Sequence, residues 1–418
     1  VEIDTSELPM VFEEEEETVD LDDKEWSLQW QHSLFAGENK TIQFGAFVQG
    51  KERDTAVYQA EGESEQSFTS WDQFSKTPLS LAGFNNEFEA AAGGVNKLEE
   101  DRLDVFALVK HEDQDFSWEL GVRYETTDST ITDKAEGVSA KNDYDFFLPS
   151  AHLRYNVSEN GRVSASVARS LRRPDFDYIT PALLEKELGD NDFLGNPDLQ
   201  PESSWGMDLG YEYRLGKSGV VGINVFYRDV TDLIEIANTG QQGSEGDGTY
   251  ILQPRNTGDG NVKGIELDLS TPLSAISMPN TGVFFNYSWL DSEVDDTFGS
   301  RKFNDQSDYV FNVGFIQDLP DLGASFGATY RKQGDAYGRI VGEEVTTHYG
   351  ADLELFVEKR WQDVTLRLVG SNLLDASKDE TFNKFDTVDD QINRDFDEYE
   401  LESEEAGPVI QLMLRYAF

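Results

Sequence analysis

The sequence predicts an all-β fold, a transmembrane antiparallel β-barrel, on three observations. Apolar and polar residues alternate strictly through about fifteen stretches; no run is long and apolar enough for a membrane helix; and the connections alternate between short and long. The 418 residues suffice for two or three ordinary domains or one large barrel. The best apolar runs, such as Val105-Phe106-Ala107-Leu108-Val109, are broken at once by Lys110 and fall short of the roughly 18 residues a membrane helix needs.

The strand readings fall near residues 25–35, 40–52, 98–111, 116–128, 146–157, 162–170, 205–216, 219–235, 262–271, 281–292, 308–318, 323–333, 347–358, 363–372 and 409–418. Side chains on a strand point alternately to opposite faces. Trp118, Leu120, Val122 and Tyr124 therefore share one face, and Glu119, Gly121, Arg123 and Glu125 the other. Ile265, Leu267 and Leu269 alternate with Glu266 and Asp268 in the same way. In the last stretch Ile410, Leu412, Leu414, Tyr416 and Phe418 take one face, with Arg415 opposite. A soluble sandwich would turn these apolar faces inward, whereas a membrane barrel turns them to lipid.

The connections favour the membrane. Short ones at 36–39, 112–115, 158–161 and 216–218 interleave with long ones near 53–96, 129–145, 171–204, 236–261, 292–307, 334–346 and 373–408. Short turns at one end and long loops at the other are the pattern of bacterial outer-membrane barrels, with the long loops outside. Residues 25–418 then form barrel, and the acidic residues 1–24 an extracellular loop segment. A last strand ending in the periplasm, with an odd number of strands in all, places the start of this sequence outside the cell, whereas one strand more or fewer leaves a closed barrel of about fourteen or sixteen. The expectation is a fragment of a larger barrel.

Charge and composition narrow the function. A net charge of −48 argues against nucleic acid as a partner, since phosphate binding needs a basic footprint. The 27 Phe, 16 Tyr and 7 Trp are too many for a disordered acidic chain. Cysteine is absent, so there is no disulfide framework and no thiol chemistry.

Four motifs in order carry a resemblance. Gly195-Asn196-Pro197-Asp198-Leu199-Gln200-Pro201-Glu202-Ser203 leads into the strands at Trp205–Tyr213 and Val221–Ile234. Asn256-Thr257-Gly258 runs on to Val262-Lys263-Gly264-Ile265-Glu266-Leu267; Gly370-Ser371-Asn372-Leu373-Leu374-Asp375 and the terminal aromatic strand follow. These resemble the C-terminal part of the barrel of TonB-dependent outer-membrane receptors, and Arg169 to Phe176 resembles the version in receptors of the Caulobacter and Xanthomonas type. The resemblance implies a barrel of about 22 strands, of which about 15 lie here, and an N-terminal plug that is absent from this chain, as is the TonB box. The implied partners are that plug and the remaining strands, TonB-ExbB-ExbD acting through the plug, and the lipopolysaccharide of the outer membrane, with a surface lipoprotein or partner subunit also open. The implied function is uptake of a scarce nutrient, and the chain's acidity tips the reading toward an oligosaccharide over a ferric siderophore. Tyr416 and Phe418 resemble the C-terminal signal for membrane insertion.

Candidate ligand-binding residues are loop residues: the rings Trp71, Phe74, Phe84, Phe176, Tyr178, Phe193, Phe382, Phe385, Phe396 and Tyr399, with Arg172 and Arg173 for an anionic group. The opposing reading is that the rings pack the loops together and the arginines pair with wall acids. Asp386, Asp389 and Asp390 offer oxygen ligands for Ca²⁺ but lack the EF-hand spacing, so a solvated acidic loop is the plainer reading. His32, His111, His152 and His348 stand singly, without the spacing of a transition-metal site. No nucleophile elbow or paired acid and base suggests an enzyme, and no cofactor is expected. The alternatives to a receptor are a passive porin, an outer-membrane barrel enzyme and an adhesion component.

Overall fold

A computed structural model of the chain describes residues 13–63, 70, 73, 76, 89–135, 137–188, 191–244, 246–296, 298–385 and 387–416. In chain order its elements are β1 (Glu13–Phe35), β2 (Lys40–Glu63), β3 (Glu89–Glu112), β4 (Phe116–Asp133), β5 (Val138–Asn156), β6 (Gly161–Arg172), α1 (Phe176–Ile179), β7 (Leu183–Leu188), β8 (Asn191–Leu194), β9 (Glu202–Leu215), β10 (Gly219–Gly243), β11 (Gly246–Leu273), β12 (Met278–Asp296), β13 (Gly299–Arg301), β14 (Tyr309–Leu319), β15 (Ala324–Gln333), β16 (Ala336–Ile340), β17 (Glu343–Tyr349), β18 (Asp352–Trp361), β19 (Val364–Ser371), β20 (Ser377–Lys384), α2 (Val388–Asn393), β21 (Glu398–Glu405) and β22 (Val409–Tyr416).

Fifteen of these pair in succession into one antiparallel wall: β1 to β6, β9 to β12, then β14, β15, β18, β19 and β22. They are the fifteen strands the alternation predicts. β16, β17, β20 and β21 form a separate four-stranded sheet at the long-loop end. The wall is open, with β1 at one edge and β22 at the other and no pairing between them among the described residues.

The wall is inside-out relative to a soluble sheet. On β9 the exposed side chains are Trp205, Met207, Leu209, Tyr211 and Tyr213, while Asp208 and Glu212 between them are the more covered. Leu209 is 59% exposed. Apolar partners continue across strands: Tyr211 opposes Ile223, Ile223 opposes Leu267, Leu267 opposes Tyr287, and Tyr287 opposes Phe311. A second line runs Leu34, Ile42, Val109, Leu120, Ala151, Val167, Met207. Leaving one large apolar side chain in water forgoes about 1.5–3 kcal/mol. Trp205, Met207 and Leu209 alone then approach the net stability of a small domain, about 5–15 kcal/mol. Such a face is stable only against lipid.

The opposite face is polar and crowded. Arg102 donates to both Asp104 oxygens at 2.8 and 2.7 Å and to Glu125 at 2.8 Å, and Arg123 reaches Asp104 at 2.5 Å. Asp104 is fully buried and Glu125 nearly so, so the guanidiniums are what make their burial tolerable. Phenylalanines of this face lie over glycines of the next strand: Phe226 opposes Gly264, Phe284 opposes Gly314 and Phe356 opposes Gly327. A Cβ at Gly314 would stand 2.4 Å from the Phe284 ring, so glycine is required for the ring to lie flat on the wall.

Most strands outrun their predicted bounds at the long-loop end and agree at the short-turn end. The expected loops 129–145 and 236–261 are mostly hairpin, β4 to β5 and β10 to β11. Residues 13–24, expected as a loop segment, continue β1 and pair with 52–63. Backbone hydrogen bonding persists where lipid contact, and therefore apolar alternation, has stopped. The reading 347–358 is corrected too: β17 ends at Tyr349, Gly350 lies outside any strand, and β18 begins at Asp352.

The apolar core sits at the long-loop end, where the β6–β9 connection folds onto the polar face. Ile179 and Leu199 from this connection pack with Leu98, Ile131 and Ile234 of the wall strands, with Phe176 and Tyr178 against them. The proline-rich motif locks it there. Asn142 donates to the Pro197 and Leu199 carbonyls at 3.1 and 2.6 Å, Asn196 donates to Pro254 at 3.0 Å, and Glu202 accepts the Ile234 N–H at 2.7 Å. β8 adds a short parallel pairing to β11. A Cβ at Gly195 would fall 1.7 Å from the Thr180 carbonyl, which is how closely the two arms of the connection approach.

Candidate functional site

A cavity of about 940 Å³ opens at the long-loop end between β10, the connection from β13 to β14, and the four-stranded sheet. β10 contributes Leu233 to Ile236, the connection Phe303 to Asp305, and the sheet Arg339, Ile340, Glu343, Val345, Glu380, Phe382, Lys384, Glu400, Glu402 and Glu404. Arg172 and Tyr178 reach it from the folded-in connection. The volume suits a solute of drug size or larger.

Alternation builds the sheet's side of the cavity. Val345 opposes Phe382, which opposes Glu400; Thr347 opposes Glu380, which opposes Glu402. This face therefore carries apolar residues near Phe382 and carboxylates toward β21. Lys384 pairs with Glu400 at 3.0 Å, and Lys378 with Glu380 at 2.7 Å.

The wall side is held by ion pairs outside the apolar belt. Arg301 clamps Glu235 through both nitrogens, at 3.1 and 2.6 Å, and donates its Nε to Asp296 at 2.7 Å. Arg339 reaches the same Asp296 at 3.0 and 3.2 Å and lies 5.2 Å from the Phe298 ring centre. Burial alone would raise the Asp296 carboxyl, but Arg301, the Phe298 N–H and Arg339 outweigh it and hold the group below its usual range. Asn304 accepts the Arg339 N–H at 2.9 Å, joining wall to sheet. On the far side, Gln391 of α2 is buried, accepts from the Gly342 N–H at 2.9 Å and donates to the Ile340 carbonyl at 2.9 Å. The β16–β17 turn is fixed by those two bonds.

The predicted site residues divide. Arg172, Tyr178 and Phe382 line the cavity. Phe176 and Tyr178 pack on the loop core, Phe193 is 8% exposed, and Phe385 is 2% exposed against Phe396, 5.5 Å away. Phe176, Phe193 and Phe385 are packing, and among the described candidate rings only Phe396 and Tyr399 are well exposed, Tyr399 on the side of β21 away from the cavity. Arg173 pairs with Glu125, and Arg172 lies 3.6 Å from Glu202. Trp71, Phe74, Phe84, Asp386 and Phe418 lie outside the described residues. Asp389 and Asp390 occupy the first turn of α2, where Thr387 caps the helix by accepting the Asp390 N–H at 3.1 Å. Among the described residues no three His, Asp or Glu side chains converge as a metal site would require. His348 meets Asp335 at 3.0 Å. Asn142, Arg301, Arg339 and Gln391 escaped the sequence reading, because isolated polar residues give no pattern until their partners are known.

An inside-out antiparallel wall with a wide cavity at its long-loop end defines the class: the wall of a membrane β-barrel. The chain belongs to the family described as TonB dependent receptor-like, beta-barrel, which matches residues 11–377. That family resides in the bacterial outer membrane, and it is a family of receptors, not enzymes. The iron-regulated outer membrane virulence protein of Vibrio cholerae serotype O1 is 25% identical over 186 residues, 43% of this chain and 28% of that protein. The siderophore receptor PiuA from Acinetobacter baumannii superposes with a TM-score of 0.65 at 15% identity, over 95% of this chain and 56% of that one. The copper transporter OprC does so with a TM-score of 0.63 at 13% identity, over 96% of this chain and 58% of that one. At such identities the two structures establish the fold. The chain thus spans little more than half the length of these solved relatives, and the curated match covers 28% of its counterpart.

Proposed function

We propose that this chain forms the larger part of the wall and the ligand-taking mouth of a TonB-dependent importer. The cavity of about 940 Å³ at the long-loop end carries the reading, because it lies where the outside would meet the polar inner face and its size suits a solute. The free edges of β1 and β22 call for further strands, and a barrel of about 22 with a plug inside it supplies them. TonB-ExbB-ExbD would then act through that plug.

The names of the relatives favour an iron chelate over the oligosaccharide suggested by acidity, since the rings offered for sugar stacking are largely spent in packing. The lining adds a condition. With Glu343, Glu380, Glu400, Glu402 and Glu404 on the sheet side, the chelate favoured is neutral or positive, and a highly anionic one is repelled. Iron-starved cells bearing the full-length receptor, offered radio-iron on chelators of positive, zero and negative charge, test this. Uptake of the neutral or positive chelate, abolished when the proton-motive force is collapsed, is the expected result. Energy-independent leakage would favour a passive pore, and uptake of oligosaccharide without any iron chelate would overturn the substrate class.

A further inference from the structure

We propose that the free edge of β21 docks an extended, lysine- or arginine-rich segment of another protein, added as a fifth strand to the four-stranded sheet. β21 pairs with β20 along its whole length, Ser377 opposite Glu405 through Lys384 opposite Glu398. Its other edge has no strand beside it among the described residues. The backbone N–H and C=O groups of every second residue of β21 point to this free edge and form a template for a partner strand, and main-chain bonds of this kind supply affinity while alternate side chains supply specificity.

The side chains decide which partner fits. Glu398, Glu400, Glu402 and Glu404 share one face of β21, and Tyr399 and Leu401 lie on the other, more than 60% exposed each. Across the cavity-facing side of the sheet, six carboxylates (Glu343, Glu380 and those four) meet two ammonium groups, Lys378 and Lys384. Glu402 has no ion-pair partner among the described residues. A second copy of β21 would set glutamates against glutamates, so the edge rejects its own kind. The complementary segment alternates basic residues, opposite the glutamates, with apolar residues beside Tyr399 and Leu401. Docking there lays the segment's basic side chains along the rim of the cavity, and the partner would compete with solutes for the mouth. The proposal goes beyond uptake and stands or falls separately from it.

The test uses the full-length receptor in nanodiscs and a fluorescent eight-residue peptide alternating lysine and valine. Two control peptides share its composition and charge: one with lysines and valines in separate blocks, one N-methylated on the amides that would face β21. Binding of the alternating peptide should weaken by about tenfold or more on N-methylation, which deletes several main-chain bonds at once, and likewise for the block peptide. The double variant E400Q/E402Q should weaken the parent peptide, and L401S, on the side of β21 away from the cavity, should weaken it and leave iron uptake in place. Equal binding of all three peptides would reduce the edge to unspecific charge attraction and overturn the proposal, as would no binding at all.

Discussion

Asn256 holds Gln200 by both of its backbone polar groups: its Oδ1 accepts the Gln200 N–H at 3.0 Å and its Nδ2 donates to the Gln200 carbonyl at 2.9 Å. The same Nδ2 donates to Asp232 at 2.9 Å, so one amide ties the proline-rich motif to β10 as well as β11. Two segments that resemble family motifs in sequence thus turn out to be one clasp in space. Asn372 repeats the device, accepting the Ala376 N–H at 2.7 Å and donating to Gly407 at 3.2 Å.

Asn256→Ala removes the clasp and leaves the backbone groups of Gln200 to water. The expected loss is about 1–3 kcal/mol of local stability, one partner of several bonds having been deleted. Hydrogen exchange at residues 196–202 should quicken, with the amides of β9 and β10 in the belt unchanged. Uniform protection across both regions would show that Asn256 holds nothing.

Asp296→Asn tests the ion pairs that Arg301 and Arg339 share at the cavity wall. The folded-state carboxyl is held below its ordinary 3.8, so its stabilising share is present above that value and is lost as pH falls through the folded-state pKa. At neutral pH the variant should be less stable by about 1–3 kcal/mol, since Arg301 and Arg339 lose a charged acceptor. The gap to the parent should close below pH 3.8. A gap that persists unchanged into acid would exclude the ion pairs as its origin.

Leu209→Arg puts a charge on the exposed apolar face and Gly210→Arg puts one on the opposite face of the same strand. Near the bilayer midplane the first should destabilise folding into lipid by about 2–4 kcal/mol, measured by denaturant titration in vesicles. A nearly neutral Leu209→Arg would mean that this face does not meet hydrocarbon.

The wall was legible in the sequence because lipid imposes a period of two: Ile223, Leu267 and Tyr287 alternate for that reason, and fifteen strands follow from it. The extensions beyond the belt were not, since residues such as Asp20 to Asp23 in β1 are solvated on both faces and leave no alternation to read. The four-stranded sheet was hidden for a related reason. Glu398 to Glu405 looks like an acidic loop, and its strand character rests on pairing with Ser377 to Lys384. Loop position offered Arg172, Tyr178 and Phe382, which line the cavity, alongside Phe193 and Phe385, which face the packing instead, and could not separate the two groups. Burial is a property of three dimensions, and aromatic identity alone does not report it.

The apolar face of the wall lies in lipid and the polar face does not, and β10 carries both faces through the belt. This chain has no cysteine, so single cysteines placed in turn from Val221 to Arg228 can each carry a spin label in the native outer membrane. A period of two is expected: labels at 221, 223, 225 and 227 collide with oxygen dissolved in lipid, and those at 222, 224, 226 and 228 are shielded from it. Accessibility without alternation, or with the two sets exchanged, would contradict it.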